Sequence, residues 1–223
     1  MTTIDDFYAN LKDLPKPYHD DGKGRVIYHG DCRSILPLIP EGFVDLVLTD
    51  PPYGIGFKYE SHDDSPQLWR ELMDNVVPII RELSPLVVMP SCAIKMLPWW
   101  YSNHQPDWLI AWYKGSPGHA SHVGFNDWEP HLVWGKPKRP MHDYFQTKCG
   151  FELKGHPCPK PVEWAKWLAM RCCSDNETIL DPFMGSGTTL RAAKDLGRYA
   201  IGIEIEEKYC EIAAGRLAQD VLF

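Results

Sequence analysis

Between Thr178 and Ala218 the chain runs through one complete strand, turn, helix, strand and helix, and no other stretch limits the fold so tightly. Thr178 to Asp181 reads as a strand, Pro182 to Thr188 as a glycine-rich turn and Thr189 to Leu196 as a helix. Tyr199 to Ile205 then reads as a second strand and Glu206 to Ala218 as a second helix. A strand joined through a helix to another apolar strand makes a right-handed parallel pair. Parallel pairs are covered on both faces, so the expected class is α/β, with helices on both sides of a mostly parallel sheet. Gly185 and Gly187 let the backbone approach a ligand closely, and the helix beginning near Thr188 turns its positive end to the same place. Glu204 closes the second strand roughly 20 residues on, the spacing at which an acid meets ribose hydroxyls. A bound nucleoside is implied. The turn is not the dinucleotide pattern GxGxxG, because Leu190 stands three residues after Gly187 and Asp181 precedes the turn at the strand end.

A second stretch, Val44 to Gly56, reads VDLVLTDPPYGIG. Val44, Leu46, Val47 and Leu48 make the short apolar run of a strand buried on both faces. Pro51 and Pro52 end it, since proline offers no N–H to a ladder and fixes its own φ. Asp50 and Tyr53 therefore flank a stiff corner at the carboxyl edge, where open α/β sheets bind ligands. Gly54 and Gly56 leave room for something bulky to approach. An acceptor beside a flat aromatic face suits a planar base carrying an amino group. Asp-Pro-Pro is also an ordinary strand-ending turn, and the corner alone does not decide between the two.

The remaining elements fit one domain of 223 residues. Residues 1–24 read as an irregular lead-in. Arg25 to Gly30 reads as a strand ending in Asp31 and Cys32, and Ser34 to Ile39 as a helical turn. Residues 57–65 read as a polar flap. Leu68, Leu72, Val76, Ile79, Ile80 and Leu83 mark a helix opened by Ser65 or Pro66. Leu86 to Met89 reads as a strand, and Trp99 and Trp100 as core on a short helix. Trp108 to Tyr113 and Glu129 to Gly135 pair as one antiparallel hairpin around a polar loop, Gly115 to Asn126. Pro161 to Met170 reads as an amphipathic helix.

Hydrophobic content of 44% and nine tryptophans exclude a disordered chain. No apolar run is long enough to span a bilayer, and the acidic N-terminus is no signal peptide, so a cytoplasmic protein with no membrane association is expected. Seven cysteines without framework spacing point to reduced thiols. Cys149, His156, Cys158 and the pair Cys172 and Cys173 lack paired ligand spacing, and no metal is expected. The net charge is −7, yet Lys136, Lys138, Arg139, Lys148, Lys154, Lys160 and Lys166 outnumber the acids around them. A confined basic patch suits a phosphate backbone, and a solvated lysine-rich loop reads the same way.

DPPY at 50–53, HPCPKP at 156–161 and DPFMGSGTT at 181–189, in that order, resemble the amino-group DNA methyltransferases that use S-adenosylmethionine, in their beta-class arrangement. The match spans nearly the whole chain. The resemblance implies a Rossmann-like methyltransferase fold with circularly permuted motif order. It implies that Asp50, Pro51, Pro52 and Tyr53 handle the target base. Phe183, Gly185 and Gly187, with Asp181, Ser186 and Thr188 of the same motif, would wall the methionine side of the cofactor. Glu204 would hold the ribose, Asp31 and the Cys32 backbone the adenine ring, and Lys160 the cofactor's carboxylate. Cys158 and Pro159 before that lysine depart from the commoner motif.

The same resemblance implies double-stranded DNA as partner, a flipped base and direct methyl transfer. It favours N6 of adenine, because relatives with Asp at the first motif position more often act there, and keeps N4 of cytosine as the alternative. A single domain, 1–223, is expected, with 115–155 as a small target-recognition insertion in which His119, His122, Asn126, Lys136, Lys138 and Arg139 meet DNA. A homodimer and a restriction-enzyme partner stay open. So do a nucleotide-dependent oxidoreductase, a silent DNA-binding protein, and a relative modifying RNA or protein amides, which usually carries Asn where Asp50 stands.

Overall fold

The computed structural model describes residues 2–57, 63–92, 94–115, 120–121, 124–147 and 160–220. Its helices in chain order are α1 (Ile4–Asn10), α2 (Cys32–Ile35), α3 (Pro66–Leu83), α4 (Leu97–Asn103), α5 (Val162–Cys172), α6 (Thr188–Asp195) and α7 (Glu207–Ala218). Its strands are β1 (His19–Asp20), β2 (Arg25–His29), β3 (Leu46–Leu48), β4 (Leu86–Pro90), β5 (Trp108–Tyr113), β6 (Ala120–Ser121), β7 (Gly124–Phe125), β8 (Trp128–Gly135), β9 (Tyr144–Gln146), β10 (Thr178–Asp181) and β11 (Tyr199–Glu204).

The main sheet runs β1-β2-β11-β10-β3-β4-β8-β5-β9, and β6 pairs with β7 alone. β2, β11, β10, β3 and β4 are mutually parallel. β8 runs against both β4 and β5, and β1 against β2. The C-terminal strands β10 and β11 thus lie between β2 and β3. Every side chain of β3 is buried, Val47 in one core with Trp69, Met73 and Trp100, Leu46 and Leu48 in the other with Trp164, Leu168 and Leu190. Two-sided covering is why the run is apolar without alternation.

One direction follows for the site. The carboxyl ends of β2, β3, β4, β5, β10 and β11 share an edge, and the reversed strand β8 brings its first residues, Trp128 and Glu129, to that same edge. The expected hairpin of β5 and β8 forms, with Tyr113 opposite Trp128. Within the stretch 115–155, the described strands β8 and β9 belong to the main sheet, β8 lying buried between β4 and β5. The lead-in is not irregular either. Thr3 Oγ1 accepts from Asp6 N at 3.2 Å and Asp6 Oδ2 accepts from Thr3 N at 3.0 Å, a reciprocal capping box that starts α1 and buries Phe7. In α3 the buried face is Trp69, Met73, Val76, Val77, Ile80 and Leu83, leaving Leu68 exposed, so the stripe sits one residue round from the leucine spacing. Among the described residues no helix is long and apolar enough to cross a membrane.

Candidate active site

The corner after β3 is held from beneath. Trp69 Nε1 donates to the Pro52 carbonyl at 2.7 Å, and the Cys92 thiol lies 3.4 Å from the same oxygen. The Pro51 carbonyl accepts no hydrogen bond among the described residues. Gly54 has φ +63°, and a Cβ there would lie 2.8 Å from Trp69 Cγ, so the glycine makes room for the indole and not for a ligand. The buried carboxylate of Asp64 accepts from the backbone N–H of Gly54 at 2.8 Å and from those of Ile55 and Phe57 at 3.1 Å. Residues 54–57 are therefore pinned. Of the expected flap, residues 58–62 lie outside the described residues.

Four polar side chains meet above the corner. Tyr53 OH lies 2.9 Å from both Asp50 Oδ1 and Glu129 Oε1. Lys160 Nζ stands 3.3 Å from that Asp50 oxygen and 3.0 Å from that Glu129 oxygen, donates to Tyr53 OH, and lies 5.0 Å from the Tyr53 ring centroid. Burial pushes the Asp50 carboxyl above its ordinary range against the pull of Lys160, and Glu129 pushes it further. Burial also acts upward on Glu129, but the charge and hydrogen bond of Lys160, with the Tyr53 hydroxyl, outweigh it and its carboxyl is lowered. Burial opposes charge on Lys160 as well, and the two carboxylates more than reverse it, so the ammonium is held. His131 is kept neutral, its pKa lowered to about 4 by burial. Trp164 Nε1 donates to its Nε2 at 2.7 Å, which leaves Nδ1–H facing the Glu129 carbonyl at 3.2 Å.

The glycine turn after β10 lies along the same edge. Asp181, 3% exposed, accepts from Thr49 Oγ1 at 2.6 Å and Phe183 N at 3.2 Å, and burial lifts its carboxyl to about 7. Glu204 at the end of β11 accepts from Gly185 N at 2.9 Å and Glu206 N at 2.8 Å, and burial raises it. Arg216 of α7 donates to Ser186 O at 2.9 Å, Ser186 Oγ at 3.3 Å and Thr188 Oγ1 at 3.2 Å, fixing the turn from behind. Gly187, φ +78°, faces Ala213 of α7, which a Cβ would approach to 2.7 Å. Asp31 caps α2, accepting from Arg33 N at 2.9 Å, and is gripped by the Arg33 guanidinium, which holds its carboxyl low. Cys32 is buried beside it.

Lys160 joins the two halves. Its carbonyl accepts from Thr188 Oγ1 at 3.2 Å, while its side chain reaches Asp50 and Glu129. The basic patch is split. Lys138 is clamped to Asp45, at 3.3 Å, and Glu177, which precede β3 and β10 at the opposite edge, so Lys136, Lys138 and Arg139 lie away from the corner. His119, His122, Cys149, Lys148, Lys154, His156 and Cys158 lie outside the described residues. Cys172 and Cys173 are buried core thiols.

Residues 102–215 match the family model for DNA methylases of the N6/N4 type. The chain belongs to this family. The methylase is 27% identical to the type II methyltransferase M.ScaI of Streptomyces caespitosus, over 96% of this chain and 88% of that one. A solved M1.HpyAVI complex with S-adenosylmethionine is 26% identical, with a TM-score of 0.63 over 87% of this chain and all of that one. The cytosine-N4-specific PvuII methyltransferase, 16% identical, shares the fold at a TM-score of 0.67 over 90% and 88% of the two chains.

Sequence reasoning missed Glu129, Asp64, Thr49, Trp69 and Arg216 in the methylase. Glu129 was within reach: an acid opening the reversed arm of a hairpin arrives at the same edge as the strand ends. Arg216 was not, because nothing local marks a helix arginine whose partners lie on another turn.

Proposed function

We propose that the methylase transfers a methyl group from S-adenosylmethionine to the exocyclic amino group of a DNA base, N6 of adenine being the favoured acceptor. The observation that carries this reading is the corner itself: an Asp50 carboxylate beside a Pro51 carbonyl that no described residue bonds, while the Pro52 carbonyl is taken by Trp69. An aromatic amine is a poor nucleophile because its lone pair is delocalised into the ring. Two acceptors that take its two N–H bonds draw it out of the ring plane, and the carboxylate stabilises positive charge as the new N–C bond forms. Tyr53 offers its face to the base. Such a base is reached only by flipping, at a cost of a few kcal/mol.

The carboxyl edge of β2, β11, β10 and β3 suits the cofactor by its donor set. Asp31, Asp181 and Glu204 stand at strand ends there, and each acid suits a ligand carrying hydroxyls and positive charge. S-adenosylmethionine, when bound, supplies a methyl group on a sulfonium that leaves as a neutral thioether. Glu204 would take the ribose, Asp31 and the Cys32 backbone the adenine ring, and Asp181, Phe183, Gly185, Ser186, Gly187 and Thr188 the methionine end. The preference for adenine rests on the Asp of the motif. Residues 1–223 act in this reading as one methyltransferase domain, with double-stranded DNA approached by the segments that leave the carboxyl edge at Lys114 and Thr147.

Incubating the protein with unmethylated DNA and labelled cofactor, then digesting to nucleosides for mass spectrometry, tests this. N6-methyladenine is expected, and Asp50→Ala lowers its yield about 100-fold. N4-methylcytosine would reassign the base, and neither product would sink the reading.

A further inference from the structure

Glu129 is 76 residues from Tyr53 in sequence, yet its Oε1 and Asp50 Oδ1 converge on the same two donors. Tyr53 OH is 2.9 Å from each oxygen, and Lys160 Nζ is 3.0 Å from one and 3.3 Å from the other. Glu129 is itself fixed from two sides: β8 holds its backbone opposite Trp112 of β5, and His131 Nδ1 lies 3.2 Å from its carbonyl. Its side chain is 13% exposed, against 29% for Asp50, so Glu129 forms the floor of the cluster and Asp50 the open side.

One ammonium faces two carboxylates here, which leaves the corner one negative charge in excess. Were Glu129 neutral, Lys160 would pair with Asp50 alone and cancel the charge that an incoming amine needs. We propose that Glu129 is a positioning residue for methyl transfer: by sharing Tyr53 and Lys160 with Asp50, it keeps the Asp50 carboxylate oriented and its negative charge available to the target amine. As the amine nitrogen bonds to the methyl carbon and the carbon–sulfur bond breaks, positive charge moves from sulfur to nitrogen, toward Asp50. A corner with excess negative charge favours that movement in the transition state more than in the ground state. The effect therefore belongs to kcat and not to cofactor affinity. This rests on the amino-methyltransferase reading above but not on which base is modified.

Glu129→Gln keeps the shape and removes the charge. Turnover is expected to fall tenfold or more, with cofactor Kd, read by calorimetry, within twofold of the parent. The acid limb of the kcat profile moves to lower pH, because Asp50 loses a neighbouring negative charge and gains an undivided ammonium. Glu129→Asp restores both limb and rate in part. Difference infrared titration, with the Asp50 carboxyl band assigned by its absence in Asp50→Asn, reads the same downward shift in cofactor-free protein without any turnover. An unmoved infrared midpoint overturns the inference, as does a parental pH profile or a loss confined to cofactor affinity. Absence of methyl transfer by the parent, with the infrared shift intact, would instead count against the activity alone.

Discussion

Asp181 is a carboxyl whose environment disfavours its charge, and its sign is open to measurement. Its ordinary pKa is 3.8 and burial lifts it to about 7 in the folded chain. Between those values the folded state binds more protons than the unfolded one, so its contribution makes stability fall as pH rises from about 4 to about 7. Asp181→Asn keeps an oxygen for Thr49 and Phe183 and removes the titration. In cofactor-free protein the variant gains on its parent as pH rises through that window, by at most about 4 kcal/mol. Urea midpoints of the two proteins at pH 5 and pH 8 check this, and a constant gap would show that Asp181 does not titrate there. At this scale the sequence was readable where a residue's place is set by its neighbours in the chain: Asp50 by the prolines after it, Glu204 by the strand it ends. It was unreadable where a residue's surroundings are set by a distant partner. The Thr49 hydroxyl on Asp181 and the Glu129 carboxylate on Tyr53 cross 132 and 76 residues.

At the start of α6 a glycine answers to helix packing as well as to the turn. Gly187 is required, but its missing Cβ serves the packing of α7, where Ala213 fills the space. Gly187→Ala would place a side chain at φ +78°, costing about 1–2 kcal/mol, and would overpack against Ala213, adding about 1–3 kcal/mol. Chemical denaturation of Gly187→Ala, alone and in an Ala213→Gly background, separates the two. Measured against Ala213→Gly, the substitution loses its closest clash, with the Ala213 methyl, and costs less, the backbone cost remaining. Equal costs in both backgrounds would mean that the helix contact is not what demands glycine. Element type was legible for β3, β10, α6 and β11, where apolar runs and glycines agree. The offset of α3 was not, because Trp69 and Met73 outcompete Leu68 and Leu72 for the core by fitting beneath Gly54 and against Trp100. α1 carries its Thr-x-x-Asp box in a stretch whose polarity hides the helix.

Across the whole molecule the sheet gives the surface a polarity that composition conceals. A base that reaches Asp50 has to come from the carboxyl edge, where β5 ends at Tyr113 and Lys114 follows. The run GKPKR sits at the other edge, since β8 travels backwards and ends at Gly135 opposite Leu86, the first residue of β4. Lys138 is occupied there with Asp45 and Glu177, leaving Lys136 and Arg139 exposed at the amino edge, away from Asp50. Reading the basic residues as one patch therefore merged charges from opposite ends of a strand. DNA affinity falls with salt in proportion to the number of phosphates neutralised. Lys136→Ala with Arg139→Ala should leave the slope of log affinity against log salt unchanged, although both charges are lost from an acidic chain. Lys114→Ala should lower that slope by about 1. Fluorescence anisotropy on one duplex, from 50 to 200 mM salt, distinguishes the two edges. A slope lost with the Lys136 and Arg139 pair and kept with Lys114 would mean that DNA lies across the amino edge, where no base could reach Asp50.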